Sequence, residues 1–403
     1  MGEGGLNIFF ENFLKKESIF SEKKALQTSF IPEKLPHRED QVNLLAHILA
    51  PALKQERPSN VFIYGETGTG KTITVRYTTS GLMSVAQKES IPLEIIYINC
   101  KISRTADTEY RLMAELCLAL GREVPSTGLP TKDIYTHFLS ALSKKGKNLI
   151  IILDEIDQLL SKAGDNTLYN LLRINEQNPM LHLSLIGISN DLTLIDNIDP
   201  RVKSSLSQEE LVFPLYNALQ LQDILRERAS TAFKEGALDE GVIEKCAALT
   251  AREHGDARRA LDLLRISGEI AERQGMNRIT LNHLDEADEK LDRDRFSELI
   301  ASQPTQQQLV LFSILTLNKG NSPLFTGEVY MLYKTYCQKA GLRPLTQRRI
   351  SDILGEFDML GIINAKIISK GRYGRMREIS LSLPGNIIPK IKQQLSTQLN
   401  LNG

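Results

Sequence analysis

At 403 residues the chain exceeds one ordinary hydrophobic core, so two or three domains are expected. Its 49 basic and 49 acidic side chains cancel, which excludes a globally basic coat for nucleic acid but leaves room for a local patch. Apolar content of 41% and charged content of 24% are globular values. With no run of about 18 apolar residues and no charged-then-apolar leader, a soluble, cytoplasmic protein that makes no use of a membrane is expected.

In chain order, residues 1–28 mix glycine, charge and short apolar patches without a period, and read as a loosely held arm. A helix follows Pro36, with Val42, Leu44, Leu45, Ile48 and Leu49 able to share a buried face. Four apolar runs of strand length come next: NVFIYG, LEIIYINC, NLIIILDEID and LSLIGISND. Such runs alternating with helices predict a parallel sheet covered on both faces, an α/β domain over residues 29–213. Strand signals then vanish, and residues 214–295 carry helical spacing, a small all-α domain. A charged, polar stretch with Pro304 predicts a joint near residues 293–305. Residues 300–395 contain three helical stretches, the third capped by Thr346, followed by alternation around Gly371 and Gly374. Three helices and a hairpin make a winged variant of helix-turn-helix. Cys100, Cys117, Cys246 and Cys337 lack Cys-x-x-Cys spacing, so incidental thiols are expected rather than disulfides or zinc.

The stretch GETGTGKT, comprising Gly65, Glu66, Thr67, Gly68, Thr69, Gly70, Lys71 and Thr72, fits the phosphate-loop pattern in full. Its glycines let backbone N–H groups converge on a phosphate, Lys71 meets the terminal oxygens, and the Thr72 hydroxyl suits Mg²⁺. In IIILDEID, Asp154 emerges at a strand's C-terminal end, where open α/β sheets place ligands. Asp154 would hold the metal through water, and Glu155 could polarise the attacking water. Asn190 ends the next strand and could orient that water, or simply turn the chain. Arg201, beyond Pro200, could reach a nucleotide on a neighbouring protomer or form an internal ion pair. Arg258 and Arg259 open a helix, where the dipole disfavours a cation unless a phosphate or an acid offsets it.

With these residues assembled, the chain resembles the AAA+ ATPases. More closely, it resembles the archaeal replication initiators related to the origin recognition complex and the cell-division-control loader. FIPEKLPHREDQ, GETGTGKT, IILDEID, IGISNDL, IDPRVKSSL, GDARRALDLLR and the winged-helix tail carry the resemblance over about residues 18–385. It implies an ATP/ADP and Mg²⁺ site with Gly65–Thr72 as Walker A, Asp154 and Glu155 as Walker B and Asn190 as sensor one. It further implies Arg201 as an arginine finger and Arg258 as the sensor-two contact, and adds Leu35, Pro36, Arg38 and Tyr216 to the nucleotide-binding set. An initiator-specific insertion that touches DNA would fall between Lys101 and Lys132. The implied partners are duplex origin DNA, the replicative minichromosome maintenance helicase and other initiator protomers.

From Arg343 to Arg377 eight basic residues face three acids. Arg348 and Arg349 open the expected recognition helix, the part that approaches base edges. Lys370, Arg372, Tyr373 and Arg375 sit at a glycine-rich hairpin tip, thin and cationic enough for a minor groove or phosphates. The residues alone leave three readings: a slow ATP-switched initiator, a DNA motor of the branch-migration kind, or an ATP-liganded transcriptional regulator. The last would bind at promoters instead of origins.

Overall fold

The computed structural model describes residues 17–101, 107–125, 127–146, 148–206, 208–252, 255–318, 324–369, 375–385 and 387–401. The chain divides into two units, Met1–Ala287 and Asp288–Gly403.

The first unit is built on five parallel strands: β1 Asn60–Tyr64, β2 Leu93–Asn99, β3 Asn148–Asp154, β4 His182–Ser189 and β5 Gln208–Val212. Their spatial order is β2-β3-β4-β1-β5. Every residue of β1 and β3 is buried, as a parallel sheet covered on both faces requires. Alternation distributes them between two cores. Val61 and Ile63 pack with Leu45, Leu49 and Val75 on one face, and Phe62 packs with Leu112, Phe138 and Leu153 on the other. The register sets Ser189 beside Tyr64, Ile188 beside Asp154, and Asp154 beside Asn99. Four strand ends therefore open at one sheet edge.

Two expectations are corrected here. The fifth strand, QEELV, is polar and was absent from the apolar runs. It forms because it pairs with β1 at the sheet's edge, where one side needs no apolar cover. The helix expected after Pro36 is Glu39–Leu49, and only Leu45 and Leu49 of its five apolar candidates are buried. Leu44 is 49% exposed, because five apolar positions span more arc than one packed stripe.

Helices Ala218–Ala232, Val242–Arg252 and Ala257–Gln274 follow. The first begins in a capping box, in which the Asn217 side chain accepts from Gln220 N and Gln220 reaches back to Asn217 N. The arm expected to be loose is tied down over its described part. Phe20 stacks on Phe233 with centroids 4.9 Å apart, and Ala25 and Leu26 of a short 3₁₀ turn are fully buried. Glu272 accepts from the Ile19 amide, and Glu269 pairs with Lys23. The helix Leu281–Ala301 runs through most of the stretch read as a joint, whose charges decorate helix surface, and ends three residues before Pro304, which precedes the helix Thr305–Leu317.

In the second unit, helices Thr305–Leu317, Thr326–Lys339 and Gln347–Met359 accompany strands β6 Leu324–Phe325, β7 Ile363–Ser369 and β8 Arg375–Leu381, in the order β6-β8-β7. β7 and β8 are antiparallel from Ile363 opposite Leu381 to Ser369 opposite Arg375. A further helix, Ile388–Gln398, was not expected. It buries Ile391 and Leu395, an i,i+4 pair legible in the sequence, against Leu309 and Phe312 of the same core.

Candidate nucleotide-binding site

The loop from Gly65 to Gly70 leaves β1 and turns into the helix Lys71–Lys88. Gly68 and Gly70 adopt φ of +74° and +92°, a region that side chains with a Cβ avoid. Space also forbids a side chain at both positions. A Cβ on Gly70 would lie 2.6 Å from the Tyr216 hydroxyl, and one on Gly68 would lie 1.7 Å from Asp256 Oδ1.

Lys71 is buried, and its ammonium donates to Gly65 O at 2.6 Å, Glu66 O at 2.7 Å and Asn190 Oδ1 at 2.9 Å. Burial brings its pKa down to about 8. Arg258 adds to that shift, while Asp154, Glu155 and Asp157 oppose it. A desolvated ammonium held by three neutral oxygens is poised to exchange them for an anion. Thr69, also buried, closes the loop by donating to Glu66 O, while Glu66 and Thr67 are exposed.

Asp154 is buried at the end of β3. Its Oδ2 accepts from Thr72 Oγ1 at 2.9 Å and from the Tyr97 hydroxyl at 2.6 Å, and its Oδ1 accepts from Glu155 N at 3.0 Å. Glu155 takes φ +54°, a left-handed conformation unusual for a side chain with a Cβ, and its carboxylate faces Lys101 Nζ at 3.5 Å. Thr72 and Asp154 thus offer two hard oxygens in contact, the donor set that Mg²⁺ takes when water and phosphate complete its shell.

A cavity of about 330 Å³ runs from this point, within the range of about 300–1,000 Å³ typical of small-molecule sites. Gly68, Thr69, Gly70, Lys71, Thr72, Asp154, Glu155, Asn190 and Arg258 line one end, and Ile31, Pro32, Leu35, Pro36, Ile224 and Leu261 form an apolar end. A charged terminus and an apolar slot fit a nucleotide's triphosphate and base. Arg38, 2% exposed, stands behind the loop. It donates through Nε to Thr69 O at 2.9 Å and through Nη2 to Pro214 O at 2.6 Å, with its guanidinium 3.9 Å from the centre of the Tyr216 ring. Asp256 caps the helix Ala257–Gln274 by accepting from Arg258 N at 2.8 Å, so the acid the helix dipole called for is an adjacent cap.

Arg201 does not join this group. It is exposed, outside the cavity, and clasps Asp199 through Nε at 3.1 Å and Nη2 at 2.8 Å, which holds the Asp199 pKa down to about 2. Tyr97, Arg76, Lys101 and Asp256 escaped the sequence reading because none sits in a recognisable spacing. Arg228 did too. It is buried and donates to Ala25 O and Phe30 O, anchoring the loop that carries the apolar slot. Its signal was a cation on an apolar helical stripe, four residues after Ile224.

In the second unit, Arg348 is exposed in the first turn of Gln347–Met359, and Thr346 caps that helix by accepting from Arg349 N. Arg349 reaches Glu356 at 3.1 Å, and Arg377 donates to Ser351 O at 2.7 Å, so two of the basic residues brace the fold. Arg375 begins β8; Lys370, Arg372 and Tyr373 lie outside the described residues.

A phosphate loop on a five-stranded parallel sheet, a helical lid over it and a separate winged helix define an AAA+ ATPase of the initiator type. The matching family models agree: the AAA domain over residues 54–195, the Cdc6 AAA+ ATPase-type lid domain over 222–289, and the CDC6 C-terminal winged-helix domain over 298–390. The chain is 48% identical over 410 residues to an ORC1-type DNA replication protein of Thermococcus onnurineus, covering 100% of this chain and 98% of that one. It is 52% identical over 383 residues to its Pyrococcus abyssi counterpart, covering 94% and 91%. The solved structure of the Aeropyrum pernix ORC1 protein in complex with DNA superposes with a TM-score of 0.81 at 43% identity, covering 96% of this chain and 100% of that one. The chain belongs to the ORC1-type DNA replication proteins.

Proposed function

We propose that the protein is an ATP-switched replication initiator that binds duplex origin DNA and helps load the replicative minichromosome maintenance helicase, working in the cytoplasm at the nucleoid. The observation that carries the switch is the direct seat of the lid on the phosphate loop, where Ala257 N donates to Gly68 O at 3.2 Å. Any group that fills the loop is felt at the first turn of the lid helix, so nucleotide state and lid position are one equilibrium.

In this reading Lys71 and the loop amides hold the β- and γ-phosphates, Thr72 and Asp154 hold Mg²⁺, and Arg258 meets the γ-phosphate from the lid. Bound there, the ion neutralises phosphate charge and polarises the bond to be broken. Glu155 orients the attacking water, Asn190 senses the terminal phosphate, and Arg201 serves a neighbouring protomer's site. The Glu155 contact with Lys101 supports slow turnover, because the base must leave a cation to act. Arg348, Arg349, Lys370, Arg372, Tyr373 and Arg375 contact DNA, a reading supported by the local charge and by likeness to the Aeropyrum protein solved with DNA.

Footprinting on origin duplex over a salt series tests the DNA half. A protected site whose affinity falls steeply with salt is expected. Protection confined to promoters, or none, would contradict it.

A further inference from the structure

We propose that Tyr97 is a positioning residue for Asp154: its phenol keeps the carboxylate oriented when a divalent cation is bound. This rests on the reading of Thr72 and Asp154 as the metal pair.

The geometry follows from strand register. β2 and β3 run parallel with Tyr97 beside Ile152 and Asn99 beside Asp154. Side chains two residues apart share a sheet face, so Tyr97 stands on the Asp154 side, diagonally behind it. Its hydroxyl donates to Asp154 Oδ2 at 2.6 Å, the same oxygen that accepts from Thr72 at 2.9 Å. The ring is fixed from its other side by Arg76, whose guanidinium lies 4.3 Å from the ring centre. Arg76 is four residues after Thr72 on the helix Lys71–Lys88, so both reach the same flank of the site.

Both donors on Oδ2 can act together when a cation is bound, since Thr72 ligates through an oxygen lone pair and keeps its proton for Asp154. The tyrosine holds the same oxygen from behind, and Glu155 N holds Oδ1, so three donors fix the plane of the carboxylate. Hydrogen-bonding partners behind a metal ligand typically change affinity by about 10–100-fold.

The experiment uses the full chain with ADP and titrates manganese(II), reading the free ion by electron paramagnetic resonance. ADP affinity is measured separately in EDTA. In Tyr97→Phe, which keeps the ring beside Arg76 and removes the hydroxyl, ion affinity should fall about ten-fold or more while ADP affinity in EDTA is unchanged. Asp154→Asn serves as the reference variant. Normal ion affinity in Tyr97→Phe alongside loss in Asp154→Asn would overturn the role of Tyr97 and leave the site reading standing. Equal ion affinity in wild type and Asp154→Asn would overturn the site reading itself, and this inference with it. A parallel loss of ADP affinity in EDTA would also overturn it, by showing a general loosening.

Discussion

Asp256 lies against the Cα of Gly68, so close that a methyl group there would fall 1.7 Å from its carboxylate oxygen and 2.9 Å from its own Cα. The loop with the phosphate-loop pattern is therefore also the seat of the lid. Gly68→Ala should clash with backbone, lift the start of the helix Ala257–Gln274 and speed nucleotide release at least about ten-fold, the worth of roughly 1.4 kcal/mol. Stopped-flow displacement of a fluorescent ADP reads this directly. Asp256→Ala removes the cap instead and should cost about 1 kcal/mol of stability, visible in thermal unfolding.

Lys71 titrates near pH 8 in the folded chain, against 10.5 for an ordinary lysine. Between these values the unfolded chain binds more protons, so this group makes the nucleotide-free protein more stable as pH rises from 8 to 10.5. An incoming phosphate replaces neutral acceptors with charge and raises the pKa again. ADP binding in EDTA near pH 8 should therefore be accompanied by proton uptake, measured by calorimetry in buffers of different ionisation enthalpy. Lys71→Ala should abolish nucleotide binding and leave binding of duplex DNA largely intact.

Arg201 is held by Asp199 outside the cavity. Arg201→Ala should leave ATP affinity unchanged and remove only the hydrolysis that rises with protein concentration. A loss of ATP binding at low protein concentration would assign the residue to its own chain's site.

Arg348→Ala should weaken duplex binding by about 1–3 kcal/mol, and Arg372→Ala by the same order. Arg349→Ala should show a smaller loss together with a small change in stability, because its guanidinium already pairs with Glu356. Anisotropy titrations at fixed salt separate these outcomes.

The strands β1, β2, β3 and β4 were legible because buried parallel strands carry near-continuous apolar runs, and Gly65–Thr72 because a phosphate loop fixes residue types at fixed spacing. β5 was not legible, since an edge strand can be polar. Nor was the anchoring of Ile19 to Leu26, whose burial depends on Phe233 and Glu272 more than 200 residues away. Tyr97 and Asp256 share that difficulty. They reach the site through strand register and lid closure, which no local spacing records. Arg38 was placed in the nucleotide set by resemblance alone, and its carbonyl partners, Thr69 and Pro214, come from two distant stretches of chain.

Whether nucleotide sets a conformation or drives a motor is decided by steady-state ATP turnover of the full chain on duplexes of increasing length. For a switch, turnover below about 0.01 s⁻¹, the order of switch-type NTPases, with no dependence on duplex length is expected. Rapid turnover that climbs with duplex length would contradict it.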